Sequence, residues 1–118
     1  MAYMLLIHEP VGQRALRSEA EGHALYERML RFRDGLRQRG LLVVGESLAS
    51  QDAQAAQVRV QDGKARVLDG PFAEAKEMVG GFFLLNCESR EQALAVAAEC
   101  PAAAWATVEV RAVAPCYR

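Results

Sequence analysis

Apolar positions along the chain fall into short runs with two periods, and the switch between them marks the elements. Tyr3 to Ile7 is uninterrupted apolar sequence, stopped by His8-Glu9-Pro10. It predicts a strand that ends where Pro10 has no N–H for the ladder. Pro10 to Arg17 reads as a loop. Ser18-Glu19-Ala20-Glu21 fits a capping box, in which the serine oxygen accepts from the third N–H and the glutamate reaches back. Leu25, Met29, Phe32 and Leu36 then recur at steps of 4, 3 and 4, one stripe of a helix. Gly40 suits the position just past its end, where positive φ is needed. The first helix is therefore expected over Glu19 to Arg39.

Leu41 to Val44 predicts a second strand ended by Gly45, followed by a polar loop. Gln57 to Val60 and Ala65 to Leu68 flank Asp62-Gly63, a pair that supplies the positive φ angles of a type I′ turn and so predicts a hairpin. After Pro71 one helical turn is expected, since proline suits a first helical position. Gly81 to Asn86 predicts a further strand. Ser89-Arg90-Glu91-Gln92 is a second capping box, opening a short helix to about Glu99 before Pro101. Last, Ala106, Val108, Val110 and Ala112 alternate with Thr107, Glu109 and Arg111, a strand with one apolar and one polar face.

The order β-α-β, hairpin, β-α-β predicts an α+β, ferredoxin-like split βαβ sheet with an inserted β-hairpin and both helices on one face. Yet Tyr3 to Ile7 and Phe82-Phe83-Leu84-Leu85 are apolar on both faces, as in strands buried on both sides. A monomer would leave a large apolar patch in water. A C2 homodimer sealing the open face is the simplest expectation.

Composition narrows the partners. A chain of 118 residues with 52% hydrophobic and 25% charged residues is one globular domain, residues 1–118. A net charge of -1 gives no electrostatic case for nucleic acid or an anionic membrane. The apolar run Met4 to Ile7 is too short for a signal peptide or a membrane span, so a cytoplasmic location is expected. Seven arginines between Arg14 and Arg39 alternate with acidic residues and read as a solvated helix face. Cys87, Cys100 and Cys116, spaced 13 and 16 apart, form neither a disulfide framework nor a zinc pattern and read as free thiols. No metal-ligand cluster, phosphate loop or nucleophile motif is present, and no cofactor is expected.

The densest chemistry is the run Asp69-Gly70-Pro71-Phe72-Ala73-Glu74-Ala75-Lys76-Glu77. Asp69, before Gly-Pro, is either an Asx-turn residue bonding local amides or a carboxylate at a cavity mouth acting as general base. Glu74, Lys76 and Glu77 either form a solvated loop face or line a cavity and bind substrate by charge. His8, at a strand end, is either a polar terminator or a proton shuttle. His23 reads as a surface residue. Glu109 and Arg111 share the polar face of the last strand. Pointing into a dimer cavity they need partners, and Arg111 suits an anionic ligand; on an edge strand they are simply solvated.

The same run resembles the D-G-P-F-A-E-T-K-E signature of the DGPF branch of the YCII-related family, with Ala75 in place of the usual threonine. Val58 to Lys64, Cys100-Pro101-Ala102-Ala103 and Val108-Glu109-Val110-Arg111 are similar to its hairpin and its closing segments. The resemblance implies a dimeric α+β barrel, two sheets packed face to face around a cavity. Family enzymes are thought to use a His–Asp pair with the histidine in the helix after the first strand. His23 lies 17 residues before Gly40, too far from the helix end for that role. Some relatives are linked to alternative sigma factors, and some related barrels are isomerases or dehalogenating enzymes. Two functions are thus expected. One is proton transfer on a small organic substrate, of isomerase or lyase type. Asp69 is the base there, His8 or Glu77 assists, and Arg111, Glu109, Glu74 and Lys76 bind the substrate. The other is a noncatalytic ligand-binding or regulatory dimer.

Overall fold

The computed structural model describes residues 1–117. Its main sheet has the order β2-β5-β1-β6, built from β1 (Ala2–Pro10), β2 (Leu42–Ser47), β5 (Glu77–Asn86) and β6 (Thr107–Ala112). All its pairings are antiparallel. Together with α1 (Glu19–Gln38) and α2 (Arg90–Glu99) this is the ferredoxin-like arrangement the element order predicts. β3 (Ala56–Gln61) and β4 (Lys64–Asp69) form a separate two-stranded sheet.

Local chemistry explains the boundaries. Ser18 accepts from the Glu21 N–H at 3.1 Å and the Glu21 carboxylate accepts from the Ser18 N–H at 3.2 Å, so the capping box is complete. Gly40, at φ +71, ends α1. At α2 only half the box forms. Ser89 accepts from Gln92 N–H, but the Gln92 side chain takes the N–H of Glu88 instead. Asp62 and Gly63, at φ 51 and 74, make the hairpin turn.

β1 runs through His8 and Glu9 and ends at Pro10, where the strand was expected to end. Two expectations are corrected. β2 runs through Gly45, because a Cβ there would collide with the Phe83 ring. Glycine permits that strand where it was expected to end it. After Pro71 there is a single turn, Ala75 N–H to Phe72 carbonyl at 3.0 Å, and no helix. The Gly70–Pro71 peptide is cis.

The core lies between the sheet and the two helices. Tyr3, Leu5, Ile7, Phe83 and Leu85 from the sheet meet Leu36, Ala93, Val96 and Ala97 from the helices. Phe32 packs edge-on to Phe83 at 5.3 Å between centroids. Met29 and Phe32 complete the predicted stripe beside the buried Leu36. Cys87 and Cys100 are buried, and loss of hydration pushes both thiols up, whereas Cys116 is exposed. All three are free.

The other face of the sheet has no covering layer. Met4, Leu6, Phe82 and Leu84 alternate with the core residues and stay half-buried, beside exposed Val44. The molecule measures 46 × 42 × 19 Å, and 19 Å is the depth of one sheet and one helix layer. Its radius of gyration of 16.0 Å exceeds the ~13.5 Å of a compact chain of this length. Every residue of β3 and β4 is exposed, so the hairpin stands out as an arm.

Candidate functional site

Because β1 continues past Ile7, alternation sends His8 to the open face and Glu9 to the helix side. β6 pairs with β1 so that Glu109 stands opposite Leu6, Arg111 opposite Met4 and Thr107 opposite His8. These side chains share the open face, as the alternation of the last strand predicts. His8 Nε2 lies 2.7 Å from Glu109 Oε1, and Arg111 Nε lies 3.9 Å from Glu109 Oε2. His8 is 28% and Glu109 43% exposed, so the pair is reachable yet bordered by apolar surface. When Nε2 donates to Glu109, the carboxylate orients the ring and Nδ1 carries the free lone pair. A histidine so arranged can accept a proton from a molecule on the open face, and Arg111 can hold a neighbouring negative charge.

The structure does not bring the signature run to this pair. Asp69 closes β4 on the arm, opposite Ala56, and is exposed. Glu74 and Lys76 are exposed in the following loop. Glu77 opens β5 opposite Pro10 and borders an open groove of about 500 Å³, with Gln51, Phe72, Ala75 and Met78. The loop is held near its start, where Phe72 N–H donates to Gln51 Oε1 at 3.3 Å. Gly70 N–H donates to the Ala55 carbonyl at 2.7 Å, and a Cβ at Gly70 would press on the Gln51 and Ala55 carbonyls. His23 is exposed on α1, 4.0 Å from Glu19.

A second polar constellation escaped the sequence reading. Glu9 is buried, and Arg14 grips its carboxylate with two bonds, Nε to Oε2 at 3.0 Å and Nη2 to Oε1 at 2.8 Å. Arg14 also donates to the Leu48 and Gly80 carbonyls, at 2.7 and 3.3 Å. Gly80 makes the room, since a Cβ there would collide with the Glu9 carboxylate. Arg33 points inward too: its Nη1 reaches the Gly45 carbonyl at 3.4 Å, while Nε is buried with no hydrogen-bond partner. Arg17 and Arg28 lie over the Trp105 ring, at 5.7 and 5.5 Å from its centroid. The arginine series is therefore not simply a solvated face. The available signal was parity: Glu9 falls in phase with Tyr3, Leu5 and Ile7 once the strand is extended.

Among the described residues no cluster of three or more histidine, cysteine, aspartate or glutamate side chains could hold a metal ion, and no helix is long and apolar enough to cross a membrane.

Comparison with solved structures gives a match over 97% of this chain and 94% of the other, with a TM-score of 0.56 and 16% identity. That protein is 5-chloro-2-hydroxyhydroquinone dehydrochlorinase from Burkholderia phenoliruptrix AC1100, in complex with 2,5-dihydroxybenzoquinone. At that identity the likeness concerns the fold. An uncharacterized protein of Rhizobium meliloti (strain 1021) is 50% identical over 40 residues, a stretch spanning 34% of this chain and 32% of that protein. The model of the YCII-related domain matches residues 1–116, so the chain belongs to the YCII-related family.

Proposed function

We propose that the protein is a small-molecule enzyme of proton-transfer type, an isomerase or lyase in the DGPF branch of its family, with His8 as the base and Glu109 as the group that orients it. One observation carries this reading: the 2.7 Å His8–Glu109 contact stands on a sheet face that also carries the apolar side chains of Met4, Leu6, Phe82 and Leu84. Two copies joined through that face, in a cytoplasmic homodimer, enclose the pair and exclude water, which strengthens every charge interaction inside. Arg111 then holds the negative charge that develops on the substrate as its proton leaves. The fold neighbour, by its name, removes HCl from a hydroxylated ring, and that elimination needs a base. Asp69, on the arm, is assigned no proton here. Glu74, Lys76 and Glu77 belong to the rim at most.

The test is exchange of solvent deuterium into carbon acids, followed by NMR across a panel of enolisable ketones and hydroxyquinones. His8→Ala should slow exchange by about 10²–10⁴-fold, the ordinary worth of a general base, and Glu109→Gln by less. Equal rates for His8→Ala and the unmodified protein would end the reading.

The noncatalytic alternative, a regulatory dimer that binds transcription machinery such as an alternative sigma factor, draws on the exposed arm. Val58, Val60 and Val67 there are 63%, 68% and 63% exposed, a poor design for a surface that meets only water.

A further inference from the structure

On the helix side of the sheet, behind the His8–Glu109 pair, lies a cavity of about 290 Å³. This is near the lower end of ligand pockets, about 300–1,000 Å³. Ile7 and Phe83 form its floor, Met29 and Tyr26 of α1 its roof, and Trp105 one wall. The cavity is mostly apolar, yet Arg14, Arg17 and Arg33 border it. Glu9 neutralises Arg14. Neither Arg17 nor Arg33 has a carboxylate partner among the described residues. Glu46, which also borders the cavity, belongs by alternation to the opposite face, since its neighbour Gly45 is the one that meets Phe83.

Arg17 donates to Gln13 Oε1 at 3.0 Å and lies over Trp105, which leaves Arg33 as the guanidinium without a compensating partner. A hydrophobic cavity bordered by it has the wrong charge to be merely a packing defect. The Arg33 Nε is the sharpest sign. It is buried without a partner, and a buried donor left unsatisfied is costly. The guanidinium fork matches a carboxylate in geometry. Gly22 is the second sign. It lines the cavity from α1, and a Cβ built there meets nothing within 4 Å. Glycine weakens a helix relative to alanine, so its presence leaves space where a better helix former would intrude.

We infer that this cavity is a binding site for a single-ring aromatic carboxylate, its ring among Tyr26, Phe83 and Trp105 and its carboxylate on Arg33. A phosphate monoester shares the anionic chemistry but brings a second charge into a mostly apolar space, so the carboxylate is favoured. The site is independent of the His8–Glu109 pair, which lies on the other face of β1.

Trp105 is the only tryptophan in the chain, so its fluorescence reports directly on the cavity. The full chain is titrated with benzoate, salicylate, benzamide and phenyl phosphate to millimolar concentration, with calorimetry in parallel. Saturable binding of benzoate or salicylate is expected, at least tenfold tighter than benzamide. Arg33→Met, which keeps length and removes charge, should weaken benzoate at least tenfold. Gly22→Leu should abolish binding while circular dichroism shows the fold intact. Benzamide binding as well as benzoate, phenyl phosphate binding tighter than benzoate, or no saturable binding by either method in natively folded protein would each overturn the inference. So would Arg33→Met binding benzoate as the unmodified protein does.

Discussion

His8 and Glu9 are neighbours in one strand, and they meet opposite fates. Glu9 turns to the helix side, is buried, and is held by two bonds from Arg14 plus the clearance that Gly80 provides. His8 turns to the open side, stays reachable, and has one carboxylate contact, to Glu109. The first arrangement is structural in character: a buried ion pair is expensive to break because the survivor is left unsolvated. The second resembles a working group, oriented by one partner and free at its other nitrogen. The contrast teaches that polarity alone does not mark a site. What matters is whether the surroundings have used up the group's bonding capacity.

The largest effect that would sharpen this contrast is on the open face itself. Leu84→Asp places one charge per copy in the proposed seam. Sedimentation should show dissociation into protomers with a Kd raised by at least about 100-fold, since like charges brought together cost several kcal/mol. The protomer fold should survive, because Leu84 faces away from the core. A protein that sediments as a stable monomer before substitution would break the homodimer proposal outright.

Next, Arg14→Met leaves the Glu9 carboxylate buried without a counter-ion. Urea unfolding should show a loss of about 3 kcal/mol, at the low end for a broken buried pair because Arg14 is 34% exposed. His8→Ala in the same assay should cost under about 1 kcal/mol. Similar losses for the two would erase the distinction between the faces. Gly80→Ala attacks the Glu9 side from the sheet by overpacking. It should cost about 2 kcal/mol and leave the His8 side chemistry in place, read by deuterium exchange.

The smallest effect concerns the start of α1, the helix that roofs the cavity. Ser18→Ala should cost about 1 kcal/mol. The Ser18 hydroxyl and N–H bonds also hold the Glu21 carboxyl below its usual range. A lowered folded-state value means the stabilising contribution is fully present above the ordinary carboxylate value of about 4.3. It is lost as pH falls through the depressed one. Stability curves measured below about pH 5 should therefore be flatter for Ser18→Ala than for the unmodified chain.

Much of the fold could be read ahead of the structure because its determinants are local. The Ser18 and Ser89 caps, the Asp62-Gly63 turn and the alternation from Ala106 to Ala112 each act within a few residues. The open face was also legible, since an apolar run in phase with both sides of a strand needs two coverings. Three features resisted. Gly45 looked like a terminator because its reason for being glycine is Phe83, distant in sequence. The charged run from Asp69 to Glu77 drew attention by density, yet its fixed points are the Ala55 carbonyl and the Gln51 side chain, which accept from Gly70 and Phe72 N–H, and its carboxylates face solvent. Glu9 with Arg14, and Arg33 with its unpartnered nitrogen, depend on how α1 settles over the sheet. His8 and Glu109 were each singled out, but their pairing needed the register between the first and last strands.

β1 and β5 fall out of step once, between Ile7 and His8, where Gly81 and Val79 are the successive partners and Gly80 is the supernumerary residue. That single insertion resets the phase of the ribbon. Downstream, Phe82 and Leu84 look outward; upstream, Val79 does so instead of the residue that strict counting would choose. Ironing out the bulge while keeping Gly80 in the ladder would therefore do more than regularise a strand. It would hand every position from Glu77 to Val79 to the opposite side and rotate the incoming charged loop with them, whereas deleting Gly80 would leave their partners and faces as they are. One glycine thus acts as the adapter that lets a loop of arbitrary composition join a sheet whose two sides have incompatible tasks.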